Sequence, residues 1–184
     1  GEQGVLAQDT TKAITLTDED GTIYQFDPSG KVASITDAMD AKKRAAPIAA
    51  YKPGTNQLDS ISDPLSKSGT IYTRQVKFAY AGDSAASVGL TTTDTGSPLA
   101  CPVAPGFTAA PPGMICRIVY PGHVSGVSDT TQLLYTQLDA TVDAASGGVQ
   151  LARIIDPGDE VTDFGYTNGL LSTIRSATVN DWLA

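Results

Sequence analysis

Residues 21–37, GTIYQFDPSGKVASITD, alternate apolar and polar side chains, turn, and alternate again. The turn DPSG at 27–30 suits a tight reversal, because proline fixes φ at its second position and glycine accepts a positive φ. Alternation with a period of two places the apolar side chains of each flanking run on one face. The stretch therefore predicts a β-hairpin with strands near 23–26 and 32–36.

Comparable strand signals recur along the chain, at 12–17, 73–83, 115–120, 131–137, 149–155, 161–166 and 170–175. Short strands at spacings of ~10 residues, with turn signals between them, indicate an all-β protein of antiparallel hairpin repeats. Residues 38–46 are interpreted as a helical turn or a linker. We predict a single segment over 1–184, cut from a longer chain. The alternative divides it into 1–90 and 114–184, around a Pro-, Gly- and Thr-rich surface loop at 91–113.

Two turn glycines, Gly30 and Gly169, are predicted to adopt a positive φ, where a Cβ costs about 1 kcal/mol. Gly89 is predicted to lie in a less constrained segment.

Acidic residues outnumber basic ones by 20 to 12, which gives a net charge of −8. Binding to a phosphate backbone requires clustered lysine and arginine, and only KKR at 42–44 forms a local cluster. No apolar run approaches the ~18–20 residues needed to cross a membrane. The composition therefore predicts neither a nucleic-acid partner nor membrane insertion, and no residue pattern indicates a cofactor.

The chain has two cysteines, Cys101 and Cys116, which flank a Pro- and Gly-rich segment. Together with the single His123 they are too few for a four-ligand zinc site. A disulfide closing a loop of ~15 residues would contribute about 3 kcal/mol in the chain-entropy model. We predict this disulfide, and the alternative is two unrelated reduced thiols. A disulfide indicates an extracytoplasmic location.

Three segments, at 24–37, 51–63 and 164–175, share one pattern: an aromatic residue, a polar turn, an aliphatic residue, then serine or threonine beside isoleucine. The positions that carry the pattern are Tyr24, Phe26, Asp27, Gly30 and Ile35; Tyr51, Leu58 and Ile61; and Phe164, Tyr166, Gly169, Leu171 and Ile174. An isolated hairpin is marginal in water. Repeated hairpins are therefore expected to bury their apolar faces against neighbouring repeats.

This pattern resembles the YD repeat of the Rhs (rearrangement hot spot) family, which runs aromatic-x-Tyr-Asp-x-x-Gly-Arg-Leu-x-x-Ile-x-Asp. The run FDPSGKV at 26–32 and Ile35 match it best. Phe26 and Lys31 stand where the family has tyrosine and arginine, and the third segment has Thr167 in place of aspartate. The resemblance implies a continuous β-ribbon that, in the family, spirals into a hollow shell.

In that family the shell belongs to long secreted or surface proteins and often encloses a C-terminal toxin or effector. The resemblance therefore predicts a scaffold or encapsulating segment whose partner is the remainder of the parent polypeptide. The alternative is a carbohydrate-binding or adhesion module with a glycan ligand. Its stacking residues would be Tyr24, Tyr72, Tyr80, Tyr166 and Trp182, although aromatics at strand spacing more often pack in cores.

No motif predicts an enzyme. DTGS at 94–97 matches the aspartic-protease loop, but that chemistry needs two carboxylates ~3 Å apart, and the chain has no second such loop. Ser125 follows His123 without the G-x-S-x-G turn that exposes a nucleophilic serine.

Two acidic groups are candidates for weak cation binding. Asp18 and Asp20 begin like a calcium loop, but the twelfth position is Ser29, where such a loop needs glutamate. The second group comprises Asp156, Asp159, Glu160 and Asp163. Solvated turns are the default interpretation for both groups, and we predict no metal site.

Overall fold

The computed structural model describes residues 4–37, 47–124, 129–137 and 148–183. The chain divides into two compact units, Gly1–Val76 and Lys77–Ala184. The interpretation of 38–46 and the candidate Ser125 lie outside the described residues.

The first unit is a meander of antiparallel strands. Its four-stranded sheet follows chain order through β1 (Val5–Gln8), β2 (Ile14–Thr17), β3 (Thr22–Phe26) and β4 (Val32–Asp37). A hairpin of β5 (Ile48–Tyr51) and β6 (Leu58–Ser62), a 3-10 turn at Pro64–Ser66, and the paired short strands β7 (Lys67–Ser68) and β8 (Ile71–Tyr72) follow.

The second unit continues the same architecture. After β9 (Gln75–Tyr80), which begins in the first unit, come β10 (Ile115–Val119), β11 (Thr130–Gln137), β12 (Val149–Asp156), β13 (Glu160–Thr167) and β14 (Leu170–Arg175). Each pairs antiparallel with the next in chain order. The helices are short: α1 spans Thr92–Thr95 and α2 spans Ala177–Leu183. The prediction of antiparallel β structure is confirmed.

The three turns of the four-stranded sheet each begin at an aspartate, and these aspartates are spaced nine residues apart: Asp9, Asp18 and Asp27. In each turn the aspartate N–H donates to the carbonyl of the residue four positions on, at 2.8–3.0 Å. The Asp27 carboxylate also accepts the N–H groups of Ser29 and Lys31, both at 2.9 Å. The aspartate side chain thus replaces a missing backbone partner, which is why this residue favours turns.

Five hairpins share a β-bulge at the same position. In each, an aromatic residue within two positions of the end of the first strand pairs with an aliphatic residue within two positions of the start of the second. The pairs are Phe26 with Val32, Tyr51 with Leu58, Tyr80 with Ile115, Tyr135 with Leu151, and Tyr166 with Leu171. The next residue on the second strand is skipped by the pairing, and these bulged residues are Ala33, Asp59, Cys116, Ala152 and Ser172.

An isoleucine always stands three positions after the aliphatic residue and pairs two positions before the aromatic. These isoleucines are Ile35, Ile61, Ile118, Ile154 and Ile174. A bulge bends its strand and increases the local twist. Repeating it at one register bends these five hairpins in the same way, so the bulged hairpin recurs as a unit in the described part of the chain.

The hydrophobic core of the second unit is formed largely by residues 81–114, which we call the excursion because they separate β9 from β10. Ala85, Val88, Leu90 and Ala100 of the excursion pack with Ala79, Cys116 and Val119 of the sheet. The interpretation of 91–113 as a surface loop is therefore wrong for Ala100, which is fully buried. Its small side chain lets the loop backbone approach the sheet closely, and its N–H donates to the Asp83 carbonyl at 2.9 Å.

Turn glycines adopt the left-handed conformation where the sequence predicts it. Gly30 has φ 84° and Gly169 has φ 76°, which confirms both predictions. Gly89 also has a positive φ, of 82°, and caps the 3-10 turn at Ala85–Val88. The prediction that Gly89 is less constrained is therefore wrong, because a helical turn that ends abruptly needs a left-handed residue.

The Gly30→Ala variant is expected to unfold at lower urea concentration, with a loss of about 1–2 kcal/mol from the left-handed backbone. No atom lies within 4 Å of a Cβ built at Gly30, so the loss would measure strain and not a clash. Asparagine tolerates a positive φ, so Gly30→Asn is the matched control and should lose less. Equal losses in circular-dichroism titrations would contradict this account.

Candidate functional site

Tyrosine hydroxyls connect successive bulged hairpins. The Tyr166 hydroxyl donates to the Leu151 carbonyl at 2.8 Å, and the Tyr135 hydroxyl donates to the Ile115 carbonyl. In the first unit, the Tyr51 hydroxyl accepts the Val32 N–H at 3.0 Å. We call these three contacts the tyrosine rungs.

Each rung joins equivalent positions: the aromatic residue of one hairpin and the backbone of the paired aliphatic residue in the preceding hairpin. Burial raises the pKa of Tyr135, so its hydroxyl keeps its proton and its donor role at neutral pH. A buried carbonyl without a donor is costly. The rungs therefore make the hairpins of Tyr51, Tyr135 and Tyr166 depend on the preceding hairpin, which is a structural role shared by equivalent residues.

The rungs predict a selective loss of stability in phenylalanine variants. Tyr135→Phe and Tyr166→Phe should each lose about 1 kcal/mol, the net value of one hydrogen bond. Tyr24→Phe is the control, because the Tyr24 hydroxyl makes no hydrogen bond with the described residues. The measurement is urea unfolding of the three variants, and an equal loss in Tyr24→Phe would refute the role of the rungs.

The aromatic-turn-aliphatic pattern in the sequence predicts three of the five bulged hairpins and does not include those at Tyr80 and Tyr135. Long insertions separate these aromatics from Ile115 and Leu151, so the compact pattern is broken. The remaining signal is an aliphatic residue with isoleucine three positions later, as in VASI at 32–35, LDSI at 58–61, ICRI at 115–118, LARI at 151–154 and LSTI at 171–174.

A second candidate site is a cluster of buried charges around His123. Its Nδ1 is hydrogen-bonded to Oδ1 of Asp129, and its Nε2 lies 3.4 Å from Oδ2 of Asp94. The His123 side chain is 8% exposed and the Asp94 side chain 3%. The Asp94 contact lacks the alignment of a hydrogen bond, so we treat it as an ion pair.

The fourth member of this cluster is Arg117, which is 5% exposed. Its guanidinium donates to Thr130 at 3.2 Å and to Gln132 at 3.1 Å, and its Nε has no hydrogen-bond partner among the described residues. Burial lowers the pKa of Arg117, and the charge of Asp94 opposes that shift. We call His123, Asp94, Asp129 and Arg117 the histidine cluster.

The DTGS loop, one of the two motif candidates for catalysis, has a structural role. Asp94, the aspartate of the DTGS loop, forms a capping box with Thr91 at the start of α1. Because Asp94 is buried against a histidine, it is poorly placed to contact a substrate. Its carboxylate stabilises the start of α1.

The disulfide prediction is confirmed, since Cys101 and Cys116 are bonded with a Cα–Cα distance of 5.9 Å. Cys116 is the bulged residue of β10 and belongs to the hydrophobic core. The bond thus ties the excursion to the sheet at a bulge.

The acidic group at 156–163 is partly neutralised by arginine. Asp163 forms a two-contact ion pair with Arg153, at 2.6 and 3.1 Å, and lies 3.7 Å from Arg175. The hydrogen bond from Arg153 lowers the pKa of Asp163. In the other group, Asp18 accepts the Thr22 N–H at 3.0 Å. Among the described residues, no group of three or more His, Cys, Asp or Glu side chains is placed to hold a metal ion.

Of the proposed sugar-stacking aromatics, Trp182 differs from the rest. It is 86% exposed on α2, an element that the sequence did not predict. The other four are half-buried in or beside strands, namely Tyr24, Tyr72, Tyr80 and Tyr166.

Comparison with known proteins gives no match, either to a protein-family model or to a curated protein. The function is therefore inferred from the geometry of the chain itself.

No helix within the described part of the chain is both long enough and apolar enough to span a membrane.

Proposed function

We propose that this chain is a structural repeat segment of a large secreted or cell-surface protein of the Rhs, YD-repeat kind. Its role is that of a scaffold or encapsulating wall for an effector or toxin domain of the same polypeptide. The observation that carries the proposal is the common register of five bulged hairpins, with tyrosine rungs linking equivalent positions.

A repeated register supports a structural role because repeated units contact only their neighbours. Further units can therefore be added through the same contacts. A ligand site, in contrast, usually concentrates a few polar groups in one concave pocket. Here the hydroxyls of Tyr51, Tyr135 and Tyr166 are directed at the preceding hairpins.

Exposed apolar residues on β14 also support the proposal. All six of its residues are exposed, and Leu170, Leu171 and Ile174 are exposed by 74%, 52% and 60%. Contiguous exposed apolar surface marks a site of association. A scaffold segment would cover this strand with another part of the assembly.

The disulfide supports the proposed location, since such bonds persist in oxidising compartments. The net charge of −8 suits a soluble external surface. No catalytic role is proposed, because the buried His123 and Asp94 serve local structure.

The native polypeptide provides the test. An antibody raised against this chain should detect, outside the cell or at its surface, a polypeptide much larger than 19.0 kDa. Cyanogen bromide or protease fragments of that polypeptide should contain further bulged-hairpin sequences. A cytoplasmic protein of about the size of this chain would refute the proposal.

The exposed Trp182 favours the carbohydrate-binding alternative, because an exposed indole can stack on a sugar ring. A glycan array probed with the wild-type chain and with Trp182→Ala distinguishes the two functions. The scaffold proposal expects no glycan signal above background. A signal that Trp182→Ala abolishes would favour the adhesion module.

A further inference from the structure

His123 lies at a junction between two segments that are distant in sequence. Asp94 belongs to α1 within the excursion, whereas Asp129 immediately precedes β11. The imidazole contacts Asp94 through Nε2 and Asp129 through Nδ1. It therefore joins the excursion to the connection between β10 and β11, at a point separate from the disulfide.

We propose that His123 is a proton-dependent latch, which holds the excursion against the β10–β11 connection when the imidazole is protonated and loosens it when the imidazole is neutral. This inference is independent of the proposed scaffold function.

Only a charged imidazole can interact favourably with both carboxylates. A neutral imidazole carries one N–H and one bare nitrogen lone pair, so it can donate to only one of the two carboxylates. The other carboxylate would then face a lone pair inside the protein. A protonated ring keeps its hydrogen bond to Asp129 through Nδ1 and also places positive charge at Nε2, 3.4 Å from the Asp94 carboxylate.

The surrounding charges favour the same state. Among the described residues, the ionisable groups facing the ring are Asp94 from α1 and Asp129 before β11, with Arg117 of β10 interacting with Asp94. The intervening residues 124–128, VSGVS, carry no ionisable side chain. With the ring protonated, two cations balance two carboxylates. With the ring neutral, only one cation faces the two carboxylates, and such an excess of negative charge is costly where water is largely excluded.

The direction of the pH effect follows from these contacts. Burial alone lowers the pKa of His123, but the hydrogen bond to Asp129 and the negative charges of Asp129 and Asp94 outweigh burial and raise the pKa above the ordinary 6.5. A raised folded-state pKa adds stability that is complete below pH 6.5 and is lost as the pH rises through the folded-state pKa. The latch is therefore closed in mildly acidic solution and opens in the alkaline direction.

The first test is nuclear magnetic resonance of the imidazole protons, which needs no assignment because the chain has one histidine. The folded protein should titrate above 6.5, and the urea-unfolded protein near 6.5. The Asp129→Asn variant should titrate at lower pH than the wild type. A folded-state titration at or below 6.5 would overturn the proposal, and this measurement on the wild type does not depend on the folding of any variant.

The second test measures opening of the excursion through its disulfide. Cys116 is 5% exposed, so a phosphine reductant, which acts without a thiolate, should reduce the bond only after local opening. In the wild type the reduction rate should rise with pH, with a midpoint at the imidazole titration.

The matched control is His123→Asn, which removes the titrating group but keeps a polar side chain. Its disulfide should be reduced faster than that of the wild type at pH 6, and at a rate that no longer follows the titration. A wild-type rate that is independent of pH, or a His123→Asn rate that still follows the wild-type profile, would show that His123 does not control the excursion.

Discussion

The Leu90→Ala variant is expected to lose about 2–5 kcal/mol of unfolding free energy, the range for removing a buried leucine side chain. Leu90 is 3% exposed and lies in the core cluster between the excursion and the sheet. The other core members are mostly alanine, valine and cysteine. Small neighbours offer little volume to refill the cavity, which places the loss toward the upper part of the range.

Leu99→Ala is the matched control for Leu90→Ala. Leu99 lies in the same excursion but is 46% exposed, and substitutions at such positions usually change stability by less than about 0.5 kcal/mol. Urea unfolding followed by circular dichroism gives both values. Comparable losses in the two variants would mean that the excursion does not form a packed core.

Replacing both cysteines, as in Cys101→Ala with Cys116→Ala, is expected to cost about 3 kcal/mol, because the unfolded chain gains the freedom of the loop between them. The sequence separation is 15 residues. Double replacement is preferable to a single one, since it leaves no buried free thiol. Intact mass of non-reduced protein after alkylation should first show that both thiols are protected.

The double cysteine variant should lose protection against hydrogen exchange in the excursion. Hydrogen exchange should increase at the Ala100 and Thr108 amides, which donate to Asp83 and Tyr135. Exchange in the four-stranded sheet of β1 to β4 should stay unchanged. A variant as stable as the wild type would show that packing alone fixes the excursion.

The strands were largely predictable, because a half-buried antiparallel strand leaves a period-two pattern in the sequence. The runs at 23–26, 32–36 and 170–175 coincide with β3, β4 and β14. Short elements left no comparable pattern: β7 and β8 have two residues each, and α2 has no buried residue.

The core and the histidine cluster were not predictable, for a different reason. The excursion packs through alanines, one valine and one leucine, so it has few of the large apolar side chains that usually indicate burial. Asp94 and His123 are far apart in sequence, and their contact depends on how the disulfide and the Thr108–Tyr135 hydrogen bond fold the excursion back. Only three-dimensional packing brings them together.

The common bulge has a consequence for protein engineering. The same bulged strand pairing forms whether the two strands are joined by the short turn 167–170 or by the excursion at 81–114. Lengthening a loop adds only about 0.6 kcal/mol for each doubling of its length. The bulged end of a hairpin is therefore a natural graft point. A peptide epitope or a small foreign domain placed between Asn168 and Gly169 should be displayed while the strands beneath it keep their alignment.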